Sequence, residues 1–272
     1  MPRRNPQVKP VGPSRSCAKR SAPNRSVPAL QDSSSATASV PEGYATLAVL
    51  DDLAPNYNAW IGRRLGAWLG RRVLEVGAGI GTITREILPG RELVIALEAE
   101  ERYAELLAKT FRGEPRVRLM HQRVEETDWE ALARQRLDSV LLSNVLEHLK
   151  DDAAAVRNLR TVLAPGGRLV VLVPALPVLF GSLDEAVGHH RRYVPTTLRR
   201  VLTQNGFAVE ELQWLNLLGI PGWFLNGRIL KRRVIPAGQV RIYDRIAPML
   251  ARAESLFRLP VGLSLLAVAR AV

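Results

Sequence analysis

Apolar positions along this chain fall into two alternating rhythms. Short apolar runs recur at Val73–Val76, Leu93–Leu97, Val117–Met120, Asp138–Asn144 and Arg168–Val173, each bounded by glycine or polar residues. Runs of this length predict buried strands. Between and before them, apolar residues recur at helical spacing: Leu47, Leu50 and Leu53, then Trp60, Ile61, Leu65 and Trp68. Helices are predicted over Tyr44–Leu53 and Tyr57–Leu69, broken at Pro55, and again over Asp151–Val162 and Pro195–Leu202. Further strands are predicted at Phe207–Asn216 and Gly262–Arg270. Strands alternating with helices make a mostly parallel sheet covered on both faces.

One stretch carries the chemistry. After Val73–Val76 come Gly77, Gly79 and Gly81, and a helix starts near Ile83. Glycines at a strand-to-helix turn permit backbone angles and close approaches that a Cβ blocks. A dinucleotide site needs G-x-G-x-x-G, and Thr82 stands where its third glycine would be. Glu75, two residues before Gly77, sets a carboxylate toward a positively charged ligand rather than a pyrophosphate. The pattern E-x-G-x-G-x-G after an apolar strand resembles the first motif of class I S-adenosylmethionine-dependent methyltransferases. Three later features recur in the same order as in that family: Glu98 ending the second strand, Asn144 ending the fourth, and Leu-x-Pro-Gly-Gly (Leu163–Gly167) before the fifth.

The resemblance implies a Rossmann-like seven-stranded methyltransferase sheet with helices on both faces, over residues 43–272, in strand order 3-2-1-4-5-7-6 with the seventh antiparallel. It implies S-adenosylmethionine as cofactor and direct displacement at its methyl group. Glu75, Gly77, Ala78, Gly79 and Gly81 would hold the amino-acid end, and Glu98 with Ala99 the ribose. Val124 and Glu125 would meet the adenine, although relatives often carry an Asp-Ala pair where this chain has Arg123 and Val124. Tyr57 would cover the cofactor, and Asn144 would lie where cofactor and acceptor meet.

On the acceptor side, His148 follows the fourth strand and is expected as the general base. The loop Gly188-His189-His190-Arg191-Arg192-Tyr193 adds polar side chains that would orient or deprotonate the acceptor. Glu147-His148 resembles part of a metal-binding Glu-x-x-Glu-His element of some quinone and RNA O-methyltransferases. Asn144 replaces its first glutamate, two ligands are too few, and no metal site is expected. The 179–193 stretch also resembles a bacterial methyltransferase subgroup found near polyprenyl-type glycosyltransferases. That resemblance implies a small-molecule or lipid- or glycan-linked acceptor.

Charge alters the picture at two places. Residues 1–40 hold seven Lys/Arg against Asp32 alone, in a Pro/Ser-rich setting that cannot bury enough surface to order; residues 1–42 are expected to be a disordered tail. A nucleic-acid-binding arm, a transit peptide, a plain solvated tail and a mis-called start codon are its readings. Residues 217–261 interrupt the expected pairing of the last two strands with a basic helical insertion, holding eight Lys/Arg against Asp244 and Glu254. The insertion would cap the acceptor pocket, pair subunits into a homodimer, or lie on an anionic membrane surface. Cys17, the single cysteine, excludes a disulfide framework. With no apolar run near the ~18 residues of a membrane span, a cytoplasmic protein, or one peripheral to the membrane, is expected. Two rivals stand beside the small-molecule reading: an RNA or ribosome methyltransferase using the basic tail, and a non-catalytic binding module retaining the fold.

Overall fold

A computed structural model describes residues 44–272, so the expected tail over residues 1–42 lies outside the described residues. Seven strands form one sheet: β1 (Arg72–Val76), β2 (Leu93–Glu98), β3 (Val117–His121), β4 (Leu137–Ser143), β5 (Leu163–Pro174), β6 (Phe207–Leu215) and β7 (Ser264–Ala271). Their order is β3-β2-β1-β4-β5-β7-β6, with β7 antiparallel to both neighbours, in agreement with the expected topology. The order reverses between β1 and β4, and in open α/β sheets ligands bind at the carboxyl ends of strands beside such a reversal. Glu75 of β1 stands level with Ala96 of β2 and Leu141 of β4, one residue before that rim.

The strands alternate their side chains between two cores, as a period of two requires. Leu74, Val76, Ile95, Leu97, Val140 and Leu142 enter one cluster. Val73, Leu141, Val170 and Leu172 enter the other, under Trp60, Ile61 and Leu65 of helix α2 (Pro55–Gly66). Helix α1 (Tyr44–Leu53) ends before Pro55 as expected, and Pro55 itself opens α2, two residues ahead of the expected Tyr57, in the first turn where its missing N–H costs nothing. The stretch Leu163–Gly167 is likewise not a free turn: Leu163 already pairs with Leu137, the register then shifts, and Gly166 at φ +76° absorbs the irregularity.

Between β6 and β7 the chain builds helix Gly219–Trp223, which runs on as a wider turn over Phe224–Ile229, and then a long helix, Ala237–Leu256. The long helix seats on α2, where Asp244 accepts from the Tyr57 backbone N–H (2.9 Å) and from Asn56 Nδ2 (2.8 Å). No helix of the described residues is long and apolar enough to cross a membrane.

Candidate active site

The glycine turn after β1 is built by backbone demands. Gly77, Gly79 and Gly81 have φ of +67°, +57° and +87°, a region that side-chain-bearing residues seldom enter. A Cβ on Gly77 would also lie 2.5 Å from Val145 Cγ2, so the turn sits directly against the chain leaving β4. The N–H groups of Gly77 and Ala78 both donate to the Leu97 carbonyl, at 2.8 and 3.1 Å, which ties the turn to the end of β2. Gly81 then leads into helix Thr82–Ile87.

Two carboxyl groups face this turn with different hydrogen-bond partners. Glu98 Oε2 accepts from the Gly79 N–H at 2.7 Å, and Oε1 accepts from Ala99 and Glu100 N–H, both at 2.9 Å. Three donors leave about one lone-pair direction of the carboxylate for a further hydrogen bond. Glu75 is 2% exposed and its Oε2 has no partner. Burial pushes its carboxyl up to about 7, the Thr84 hydroxyl offsets part of that, and Glu98 adds to it. A buried acid oxygen without a partner beside a cradle of positive-φ glycines fits a ligand that brings a cation and hydroxyls. S-adenosylmethionine brings both.

The other predicted cofactor residues have different surroundings. Asn144 follows β4 in the left-handed region at φ +54°, exposed, its N–H bonded to the Leu172 carbonyl at 2.8 Å. Val124 packs on the core within a short 3-10 turn, while Glu125 is exposed and pairs only loosely with Arg123, at 3.7 Å. Tyr57 packs edge-on against Trp60 and Tyr243. Its ring therefore belongs to the contact between α2 and the long insertion helix.

On the acceptor side, the structure gathers residues far apart in sequence. Helix Ser182–Ala186 carries Asp184, which is wholly buried. Asp184 Oδ1 accepts from His189 Nδ1 (2.8 Å) and Arg192 Nε (2.7 Å), and Oδ2 from Gly181 N–H and Trp223 Nε1, both at 3.1 Å. Burial works to raise the Asp184 carboxyl, but the His189 bond and the Arg192 charge hold it below the usual range. Arg192 also donates to the Ala175 carbonyl at 2.7 Å and lies 4.8 Å from the Trp223 ring centroid.

His189 then presents Nε2 to Glu147 Oε1 at 3.6 Å. Glu147 is wholly buried, neither oxygen has a hydrogen-bond partner, and burial pushes its carboxyl up to about 8. The His148 ring stands T-shaped to His189, with centroids 4.8 Å apart, and burial with the neighbouring His189 lowers it to about 4. Around neutrality Asp184 and Arg192 are a neutralised ion pair, Glu147 is largely protonated, and His148 is a neutral imidazole. Glu147, His148 and His189 also offer ligand atoms all within 4.8 Å of one another, one carboxylate and two imidazoles.

His190 is exposed, and its N–H donates to the Glu147 carbonyl at 2.9 Å. Tyr193 is buried, and its hydroxyl donates to Asp152 Oδ2 at 2.8 Å. Burial and that carboxylate push its ionisation far up, so the phenol acts as a structural donor that pins the loop. Asp184 and Trp223 carry the greatest share of this arrangement and were not singled out by motif. Their only sequence signal was an acid just before the His-His-Arg-Arg run and a tryptophan inside the insertion. A surface cleft of about 650 Å³, lined in part by Trp60, Arg64, Trp68 and Arg252, lies between α2 and the long helix and contains none of these residues.

Comparison with known proteins agrees with this fold. A family model described as a methyltransferase domain matches residues 10–212. A ribosomal RNA small subunit methyltransferase A of Dehalococcoides mccartyi is 34% identical over 73 residues, 27% of this chain and 25% of that one. A ubiquinone biosynthesis O-methyltransferase of Aeromonas salmonicida is 20% identical over 182 residues, 62% of this chain and 76% of the relative. The chain thus spans a quarter of the first relative's length and about three-quarters of the second's. A solved structure of Burkholderia thailandensis 1,6-didemethyltoxoflavin-N1-methyltransferase superposes with TM-score 0.51 at 23% identity, over 88% of this chain and 93% of that one. The chain belongs to the methyltransferase domain family, as a class I S-adenosylmethionine-dependent methyltransferase.

Proposed function

We propose that this protein methylates a hydroxyl or amine of a small-molecule or lipid- or glycan-linked acceptor. The observation that carries the reading is the buried Asp184–His189–Glu147 arrangement with His148 beside it, just past the end of β4. When bound, S-adenosylmethionine supplies a methyl group already activated by its sulfonium. The turn Gly77–Gly81 and Glu75 would hold its amino-acid end, Glu98 its ribose, and Val124 with Glu125 its adenine. Asn144 lies between the glycine turn and the histidines in the chain's path. The protein's remaining work is to place a nucleophile in line, exclude water and receive a proton.

His148, held neutral by burial, accepts a hydrogen bond from the acceptor. Asp184 fixes the His189 tautomer, and Glu147 as a neutral acid keeps the pocket from accumulating charge. Because His148 is a weak base in this setting, it suits an acceptor whose proton is released easily. The experiment is incubation with methyl-labelled S-adenosylmethionine and separated small-molecule, lipid and RNA fractions. Label in a small-molecule or lipid fraction, falling at least tenfold in His148→Gln with cofactor affinity kept, is the expected result. Label confined to RNA, or full turnover by His148→Gln, would overturn it.

A further inference from the structure

The segment Leu218–Val234 has two unlike sides. Inward, Trp223 donates to Asp184, and the Gly227 carbonyl accepts from Ser182 Oγ at 3.0 Å; Asn226 and Gly227 are buried. The segment is thereby docked onto the loop that holds His189. Outward, Leu218, Phe224, Leu225, Ile229, Leu230 and Val234 are all exposed, with Ile229 at 58%. They are interleaved with Arg228, Lys231, Arg232 and Arg233, also exposed. Between Glu211 and Asp244 the sequence has no acidic residue at all.

We infer that this face is a docking surface for an anionic lipid bilayer, which would bring the acceptor pocket to the membrane. Apolar side chains among cations, with no acid, match a bilayer's anionic headgroups above its apolar interior. A second copy of the same face fits less well, because four cations per copy would meet without a carboxylate to pair them. Nucleic acid would take the cations and leave Leu225, Ile229 and Leu230 against a polar backbone. The inference rests on the lipid-linked form of the proposed acceptor.

Flotation of the full-length protein with vesicles tests it, using phosphatidylcholine alone and with 30% phosphatidylglycerol. Expected is binding to the anionic vesicles at least tenfold tighter than to the neutral ones, weakening with salt. Lys231→Gln with Arg233→Gln should lose about tenfold or more, at roughly a factor of five per surface cation. Leu225→Ser with Ile229→Ser keeps every charge, including those of residues 1–40, and should also lose at least tenfold. Unchanged binding by that apolar variant would assign the membrane contact to the basic tail and overturn the inference. A concentration-dependent dimer, broken by the same variants and indifferent to vesicles, would overturn it too. Cofactor affinity and methyl transfer measured on the same samples separate the outcomes: both intact without vesicle binding rejects the surface alone.

Discussion

The two ends of the proposed active site are made in opposite ways. The cofactor end is local: Glu75, three positive-φ glycines and Glu98 lie within 24 residues, and backbone N–H groups supply most of its donors. The acceptor end is assembled over long range, from Glu147 and His148 after β4, Asp184 and His189 some 40 residues later, and Trp223 from the insertion. The first depends on chain geometry, the second on burying charge with its partners. Substitutions should therefore fail differently at the two ends.

The largest effect is expected at the acceptor end. Asp184→Ala leaves the Arg192 guanidinium buried without its carboxylate and removes the acceptor for His189 and Trp223. Breaking a buried pair from one side costs roughly 3–5 kcal/mol. Urea denaturation should register that loss, while cofactor affinity in the remaining folded protein stays within a few-fold of the parent. Loss of cofactor binding with stability unchanged would invert the comparison.

At the other end, Gly77→Val forces a side chain toward Val145 at a positive φ. Cofactor affinity should fall by roughly 100-fold, about 3 kcal/mol, with the thermal midpoint lowered only modestly. Binding at the parental level would show that the turn is not the cofactor's seat.

Glu147→Gln sharpens the acceptor end by pH. The folded carboxyl, at about 8, binds its proton more tightly than the unfolded one, near 4.5. Stability conferred by the neutral acid is thus fully present below about pH 4.5 and is lost as pH rises through 8. The parent should weaken relative to the Gln variant across that window, by several kcal/mol at pH 9. Parallel stability–pH curves for the two would contradict the assignment. The smallest effect belongs to Tyr193→Phe, which removes one hydrogen bond to Asp152 and should cost about 1 kcal/mol in the same denaturation experiment.

This contrast also explains what the sequence made legible. Glu75, the glycines and Glu98 were readable because strand, turn and helix follow one another in the chain and dictate residue type by backbone angle. The mostly parallel sheet followed from the alternation of elements, whereas the strand order was implied by the family resemblance alone. The second helix starts at Pro55, two residues before the expected Tyr57, and β5 at Leu163, five before the expected Arg168, since a proline that ends one helix can equally open the next and a bulged strand pairs before its register settles. Asp184 and Trp223 were not legible. Nothing local distinguishes an acid on a short helix from a solvated one until Arg192, His189 and the insertion close over it. Tyr193 was legible as a site residue only by its neighbours, and its buried bond to Asp152 makes it part of the frame.

The turn after β1, with Glu75 beneath it, is the proposed seat of S-adenosylmethionine. Calorimetric titration of the full-length protein with this cofactor at pH 7, in two buffers of different ionisation enthalpy, tests it most directly. A cation beside Glu75 favours the ionised carboxyl and draws its pKa below the present value of about 7. Saturable 1:1 binding should therefore release about half a proton, seen as a buffer-dependent enthalpy that disappears in Glu75→Gln. A folded protein that shows no saturable binding, or binds with the same heat in both buffers, would contradict the account.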